Sequence, residues 1–264
     1  MTALSEDPFL LRDDQSGIAT LTLNRGAARN ALSLGMLQAL RTALADIAGD
    51  ETVRVLVIAG AGPAFCAGHD LKELRAKGYD PGYVDALFAL CADVMMAVVH
   101  LPKPVIARVH GVATAAGCQL VASCDLAIAA ADARFATPGV NIGLFCSTPM
   151  VALSRNVAPK QAMQMLLTGD LIDAPTALRF GLVNELVPAA DLVGRTEALA
   201  RQLAEKSPLT LAIGKEAFYR QRELPLAEAY AYTRAVMARN LEAQDAREGI
   251  GAFLEKRPPV WCGK

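Results

Sequence analysis

Residues 111–125 read GVATAAGCQLVASCD, and almost nothing in the stretch carries a large side chain. Its residues are mostly Gly, Ala, Ser and Cys, with one large polar group, the amide of Gln119. So bare a backbone lets another chain segment or a ligand come close to the main chain. Two apolar runs flank it, PVIARVHG (104–111) and DLAIAA (125–130), and both read as buried strands. A helix over Thr114–Ser123 fits between them, which makes a β-α-β unit of a parallel sheet.

The same pattern recurs upstream. GIATLTLN (17–24) alternates apolar and polar residues as a half-buried strand does. Ser33 is placed to cap a helix running to about Ala48, with Leu37, Leu40, Leu44 and Ile47 as its apolar stripe. VRVLVIAG (53–60) reads as another buried strand, followed by a helix over Gly82–His100. From Met150 onward the pattern is helical: Ala158–Leu167, Ala174–Phe180, Ala190–Lys206, Leu209–Gln221, Ala227–Leu241 and Ala243–Glu255. One strand, LVNELV (182–187), interrupts them. No linker, low-complexity tract or internal repeat divides the chain. The expected fold class is α/β, with helices covering a mostly parallel sheet and a helical C-terminal part packed on itself or on a neighbouring subunit.

A chain of 264 residues accommodates one large domain, and 53% hydrophobic with 20% charged residues describes a folded protein. The net charge of −1 points to no nucleic-acid partner and no anionic membrane surface. MTALSEDPFLLRDD (1–14) contains acidic residues and no long apolar run, so it reads as neither a signal peptide nor an Arg-rich transit sequence. Apolar runs break off short of the ~18 residues of a membrane span. These features predict a cytoplasmic protein. Six cysteines without a C-x-x-C read as buried, reduced thiols, and His69, His100 and His110 lack metal-ligand spacing, so no metal site is expected.

Ordinary nucleotide loops fail. After Gly60 and Gly62 the third glycine of G-x-G-x-x-G falls on Phe65, and Pro63 interrupts the turn. No Gly-Lys-Ser/Thr and no G-x-S-x-G occurs. What remains is a pair of small-residue turns, FCAGHD (65–70) and VATAAGC (112–118), each after a buried parallel strand and each leading to a helix. Either alone is explained by tight helix–sheet packing. Two at matching sheet ends favour a ligand held by free backbone N–H groups, an oxyanion hole.

With these turns, LTLNRGAARNALS (21–33), VRVLVIAGAGPAFCAGHDLKEL (53–74), KPVIARVHGVATAAGCQLVASCDLAIA (103–129), ARFATPGVNIGL (133–144), LTGDLIDAPTALRFGLVNELV (167–187) and GAFLEKRPP (251–259) make the sequence resemble the crotonase (enoyl-CoA hydratase/isomerase) superfamily. GLFCSTP, AAGCQLVASCD and GKEAFYRQ resemble its enoyl-CoA hydratase domain-containing subgroup. The resemblance implies a crotonase-like spiral of β-β-α units over 1–200 and a helical trimerisation region over 201–264, usually in a dimer of trimers. It implies an acyl-CoA ligand, with coenzyme A part of the substrate and no covalently bound cofactor. The oxyanion N–H groups fall on His69, from the A-G-x-D pattern, and on Ala116, where the pattern has the middle Gly of G-G-G. Ala27, Ala28 and Arg29 fall on the adenosine and pantetheine path and Ala67 on the substrate contacts. Lys72 falls near the phosphates, and Phe253 and Lys256 on residues reaching a neighbouring subunit's ligand; an ordinary exposed lysine is the alternative for Lys72 and Lys256.

Hydratases of this family use two glutamates, and here Gln119 and Gly139 stand in their places. Neither titrates, and such groups are worth about 10²–10⁴ in rate, so ordinary hydration is doubtful. His69 is the remaining titratable candidate, although its side chain can point elsewhere. Asp70 reads as a helix N-cap. Asn141, Cys146, Ser147 and Thr148 are placed to line the cavity, with Cys146 a buried inert thiol. Three functions stay open: an acyl-CoA enzyme running another reaction through the oxyanion hole, a non-catalytic acyl-CoA-binding or partner-binding oligomer, and a weak hydratase (a lyase) with water held by Gln119. Restoring Glu at both 119 and 139 is expected to restore hydration if Gly139 tolerates a side chain.

Overall fold

The computed structural model describes residues 8–264. Its strands are β1 (Leu10–Gln15), β2 (Ile18–Leu23), β3 (Val55–Gly60), β4 (Val105–Val109), β5 (Val112–Thr114), β6 (Leu126–Ala130), β7 (Arg134–Ala136), β8 (Ile172–Asp173) and β9 (Glu185–Val187). The helices of the first half are α1 (Leu34–Gly49), α2 (Leu71–Ala76), α3 (Pro81–His100), α4 (Ala116–Ser123) and α5 (Ser147–Asn156). Those of the second half are α6 (Pro159–Thr168), α7 (Ala174–Phe180), α8 (Leu192–Ala204), α9 (Pro208–Gln221), α10 (Leu226–Glu242) and α11 (Gln244–Glu255).

Six strands form one sheet in the order β1-β2-β3-β4-β6-β9, parallel except for the antiparallel β1–β2 hairpin. Ser16 and Gly17 both take positive φ (51° and 79°), as a two-residue hairpin turn requires. β1 was not expected from the sequence. Its residues LLRDDQ form an exposed edge, so no apolar alternation marks it. A second, smaller sheet runs β5-β7-β8, extended by parallel bridges Cys66–Ala113 and Leu32–His69. Each turn of the chain therefore adds one strand to the large sheet, one short segment to the small sheet, and a helix. This is the β-β-α spiral implied by the resemblance.

The large sheet is buried on both faces, which explains why β3 reads as a continuous apolar run. Leu56 and Ile58 face the main core, while Val55 and Val57 face Ala200, Leu199 and Leu203 of α8. The boundary expected at residue 200 falls inside that helix. Helix α3 corrects the expectation about apolar runs. It is twenty residues long, with a mean hydropathy of 1.8 in its most apolar window, long and apolar enough to cross a membrane by composition alone. Here Leu87, Leu90, Cys91, Val94, Met95 and Val98 are buried in the core, and Asp85 and Asp93 are exposed on the other side. Part of the leader reading rested on residues 1–7, which lie outside the described residues. Five cysteines are buried as expected; Cys262, in the tail after two prolines, is exposed.

One polar cluster fastens α9 to the core. Lys215 Nζ donates to Asp125 Oδ2 (2.7 Å) and to the carbonyl oxygens of Val98 and Lys103 (3.0 Å each). Tyr219 donates to Asp125 Oδ1 (2.9 Å), and the Val105 N–H donates to Asp125 Oδ2 (2.7 Å). Burial pulls the Lys215 ammonium below its ordinary value, and Asp125 opposes that pull. Removing one partner of a buried pair leaves the other charge uncompensated, at about 3–5 kcal/mol. Lys215→Met should therefore lower the urea-unfolding free energy by about 3 kcal/mol, and adding Asp125→Asn should recover part of that loss. An unchanged midpoint for Lys215→Met would show that the pair does not hold α9.

Candidate functional site

The carboxy-terminal ends of three neighbouring segments of the small sheet (66–69, 112–116 and 134–139) meet at one edge, where α/β proteins place ligands. In the Leu32–His69 bridge, Leu32 N–H donates to Gly68 O and Asp70 N–H to Leu32 O. In a parallel pairing of this kind the His69 N–H points the other way, away from Leu32. Among the described residues neither the His69 N–H nor the Ala116 N–H has an acceptor. Ala116 opens α4, so its amide is one of the free donors at a helix N-terminus. The two amides flank Gly68: a Cβ there would lie 3.2 Å from Ala116 N and 2.8 Å from Ala115 Cβ.

Small residues make that approach possible. A Cβ on Gly117 would collide with the Cys66 carbonyl oxygen, and Gly68 takes φ +91°. The sequence placed Ala116 at a position usually held by Gly, and its methyl is accommodated, buried to 2% exposure. Strain lies one residue earlier. Ala115 takes φ 50°, ψ −120°, a region side chains rarely enter, and its N–H donates to Ala136 O (2.9 Å).

Apart from the Asp70–Arg25 pair, the side chains packed around this point are neutral. The His69 ring packs on Phe88 of α3 with centroids 4.9 Å apart, and its Nε2 is buried without a partner. Burial lowers its pKa to about 4, with Glu73 opposing, so the imidazole is uncharged at neutral pH and a weak base. Asp70 caps α2 as expected, accepting from the N–H groups of Lys72 (3.1 Å) and Glu73 (3.2 Å), and it pairs with Arg25 at 3.0 Å. Burial alone would raise its carboxyl, but these amides and the guanidinium hold it below the usual range. Thr137 is fully buried with an unpaired Oγ1.

Gln119, one turn into α4, is 5% exposed and borders a cavity of about 1020 Å³. Met95 and Val99 of α3, Ala122 of α4, Val151 of α5 and Ile213 of α9 supply much of its apolar wall. This cavity leaves no mark in the sequence, because its walls come from four helices far apart in the chain. Within GKEAFYRQ, Lys215 and Tyr219 hold the α9 wall.

At the second glutamate position the chain is rebuilt. Gly139 lies in a 3-10 helix (Pro138–Ile142), and its carbonyl accepts from Leu144 N–H (2.9 Å) while its N–H meets Cys146 Sγ (3.3 Å). A Cβ there would overlap the Leu144 carbonyl oxygen and sit 2.9 Å from Cys146 Sγ. The expected rescue through Gly139→Glu is therefore corrected, because backbone fills the space a side chain would need. Asn141 is corrected too: it is exposed and donates to Gly169 O (3.3 Å), and it does not border the cavity. Cys146 is the expected buried thiol, its pKa raised by burial.

The remaining positions divide in two. Ala27, Ala28 and Arg29 form an exposed turn tied to the site, since Ala67 N–H donates to Arg29 O (3.0 Å) and Ala67 O accepts from Thr114 Oγ1 (3.1 Å). Lys72 is exposed at the start of α2. Phe253, 82% exposed, and Lys256 lie at the far end of α11, which packs on α9 and α10.

Two changes test the backbone geometry. Ala115→Gly relieves the positive φ and should raise the unfolding free energy by about 1 kcal/mol, net of the greater freedom glycine has when unfolded. Gly68→Ala pushes a methyl against Ala115 and should lower it by about 2 kcal/mol. Urea titrations giving the opposite signs would contradict the description of the two turns.

The comparisons with known proteins agree with this architecture. The family model described as enoyl-CoA hydratase/isomerase matches residues 13–264. The mitochondrial enoyl-CoA hydratase domain-containing protein 3 of Xenopus laevis is 47% identical over 258 residues, covering 98% of this chain and 87% of that protein. A crystal structure of an enoyl-CoA hydratase from Mycobacterium smegmatis superposes with a TM-score of 0.94 at 54% identity, covering 97% of this chain and 99% of the other. That of human enoyl coenzyme A hydratase domain-containing protein 3 gives 0.93 at 46% identity, covering 96% and 100%. The cytoplasmic location expected from the sequence is overturned by relatives named as mitochondrial, among them the frog, mouse, rat and human proteins. Buried thiols and a net charge near zero suit any reducing compartment and so did not discriminate. The chain has the crotonase fold and belongs to the enoyl-CoA hydratase/isomerase family, grouping with its enoyl-CoA hydratase domain-containing members.

Proposed function

We propose that this chain binds acyl thioesters of coenzyme A through the backbone amides of His69 and Ala116 and is not an effective enoyl-CoA hydratase. The observation that carries the reading is the pair of N–H groups on either side of Gly68, both without an acceptor among the described residues. A thioester carbonyl is a suitable acceptor, and one such donor is worth about 3 kcal/mol to an enolate-like state. Hydration needs a base to activate water and an acid to return its proton. Gln119 offers an amide, Gly139 is hemmed in by the Leu144 carbonyl, and the neutral His69 ring faces Phe88. Chemistry that needs only carbonyl polarisation remains open to such a site.

We also propose a trimer or a dimer of trimers. Leu226, Tyr230, Met237 and Leu241 are exposed along α10 at spacings that share one face, and Phe253 and Leu254 are exposed on α11. Light scattering at micromolar concentration should report three or six chains; a stable monomer would refute the assembly.

For the site, millimolar octanoyl-CoA should raise the melting temperature, since a ligand of the native state stabilises it by mass action. Crotonyl-CoA should not be hydrated above the buffer rate, and Gln119→Glu with Gly139→Glu should stay inactive. Absence of any thermal shift would remove the binding claim, and rapid hydration by the unmodified protein would place the acid–base group elsewhere.

A further inference from the structure

Among the described residues the Gln119 side chain has no hydrogen-bond partner. Its Oε1 is buried without a partner, and among the described residues its Nε2 donates to no acceptor. The two ends of the amide are not equivalent. Oε1 is sealed from solvent, so the NH2 end is the polar end left to the cavity that Gln119 borders. The reverse orientation would seal two unpaired N–H groups in place of one carbonyl, a greater desolvation cost. A carboxylate at this place would accept hydrogen bonds; the amide donates one.

Its position says which ligand atom it meets. Gln119 follows Ala116 by three residues, about 4.5 Å along α4 and on nearly the same face. With a thioester oxygen on the His69 and Ala116 amides, the acyl chain passes Gln119 a bond or two beyond the carbonyl carbon, at C3. The rest of the chain then meets the apolar wall formed by Met95, Val99 and Ile213. A saturated or enoyl C3 offers no acceptor and leaves the Gln119 amide unpaired. A ketone oxygen at C3 satisfies it, whereas a hydroxyl that accepts from the amide leaves its own O–H without an acceptor on Gln119, whose Oε1 is sealed.

We propose that the ligand of this site is a 3-oxoacyl thioester of coenzyme A, its C3 oxygen accepting a hydrogen bond from Gln119 Nε2 and its alkyl chain lying in the cavity behind. The proposal rests on the acyl-thioester reading above and specifies its substrate class. It makes Gln119 a specificity-determining residue, with the hydrogen-bonding sense at C3 as the quantity it reads.

The test measures dissociation constants of octanoyl-, 3-hydroxyoctanoyl- and 3-oxooctanoyl-CoA for the wild type, Gln119→Glu and Gln119→Met. In the wild type the 3-oxo ligand should bind about tenfold more tightly than octanoyl-CoA, the worth of one hydrogen bond to an otherwise unpaired buried donor. Gln119→Met should bring the two within about twofold of each other. Gln119→Glu should reverse the order in favour of the 3-hydroxy ligand, whose O–H can donate to a carboxylate. Circular dichroism and the melting temperature establish that each variant is folded, and the wild-type ratio is decisive even if neither is. Octanoyl-CoA bound without preference for the 3-oxo ligand, or with preference for the 3-hydroxy one, overturns this inference and leaves the acyl-thioester reading intact. If none of the three binds, both fall.

Discussion

Much of the molecule follows from one close approach, the start of α4 lying against the carbonyl of Cys66. Only a residue without a Cβ fits at Gly117, and the same crowding fixes Gly68 with its positive φ. These contacts bring together two turns that are 47 residues apart in sequence (His69 and Ala116). The strain at Ala115 is the local consequence, held in place by its hydrogen bond to Ala136. Two strands and a helix thus present free N–H groups as rigid parts of the framework, and dipoles fixed in advance need no reorganisation when a ligand's charge shifts. The spiral supplies this geometry because each strand of the large sheet hands on to a short segment of the small one before its helix begins.

The charged groups of the core serve a different purpose. Lys215, Asp125 and Tyr219 hold α9 where it closes one wall of the cavity, so the C-terminal region helps enclose a cavity of its own chain. Around the paired amides, by contrast, His69, Gln119 and Thr137 are all uncharged and carry buried atoms with no partner. Fold and site therefore use polarity in opposite ways: satisfied charge secures the wall, and neutral groups with unpaired buried atoms surround the paired amides.

The sequence made some of this legible and hid the rest for identifiable reasons. Buried strands such as β3 and helices such as α1 announced themselves through apolar pattern, and Ser33 and Asp70 through capping chemistry. β5, β7 and β8 are two or three residues long and belong to no periodicity, so the second sheet was invisible to pattern reading. The edge strand β1 opens with two leucines and is polar from there on. Backbone donors could be placed from small-residue turns because their chemistry depends on what is missing at Cβ. The environment of Gly139 could not, since nothing in TPGVNIGLFC shows that the Leu144 carbonyl folds back over the glycine. Asn141 was misplaced for the same reason, its partner Gly169 being distant in the sequence.

The crowding at Gly139 also bears on the substitutions open to such a protein. With the 143–146 turn packed against the glycine, a glutamate at that position meets backbone, and stability falls before any proton transfer is gained. The turn would have to move first, in a step with no benefit of its own. The glycine and the turn over it thus form a coupled pair, in which neither can give way to an acid-bearing arrangement without the other.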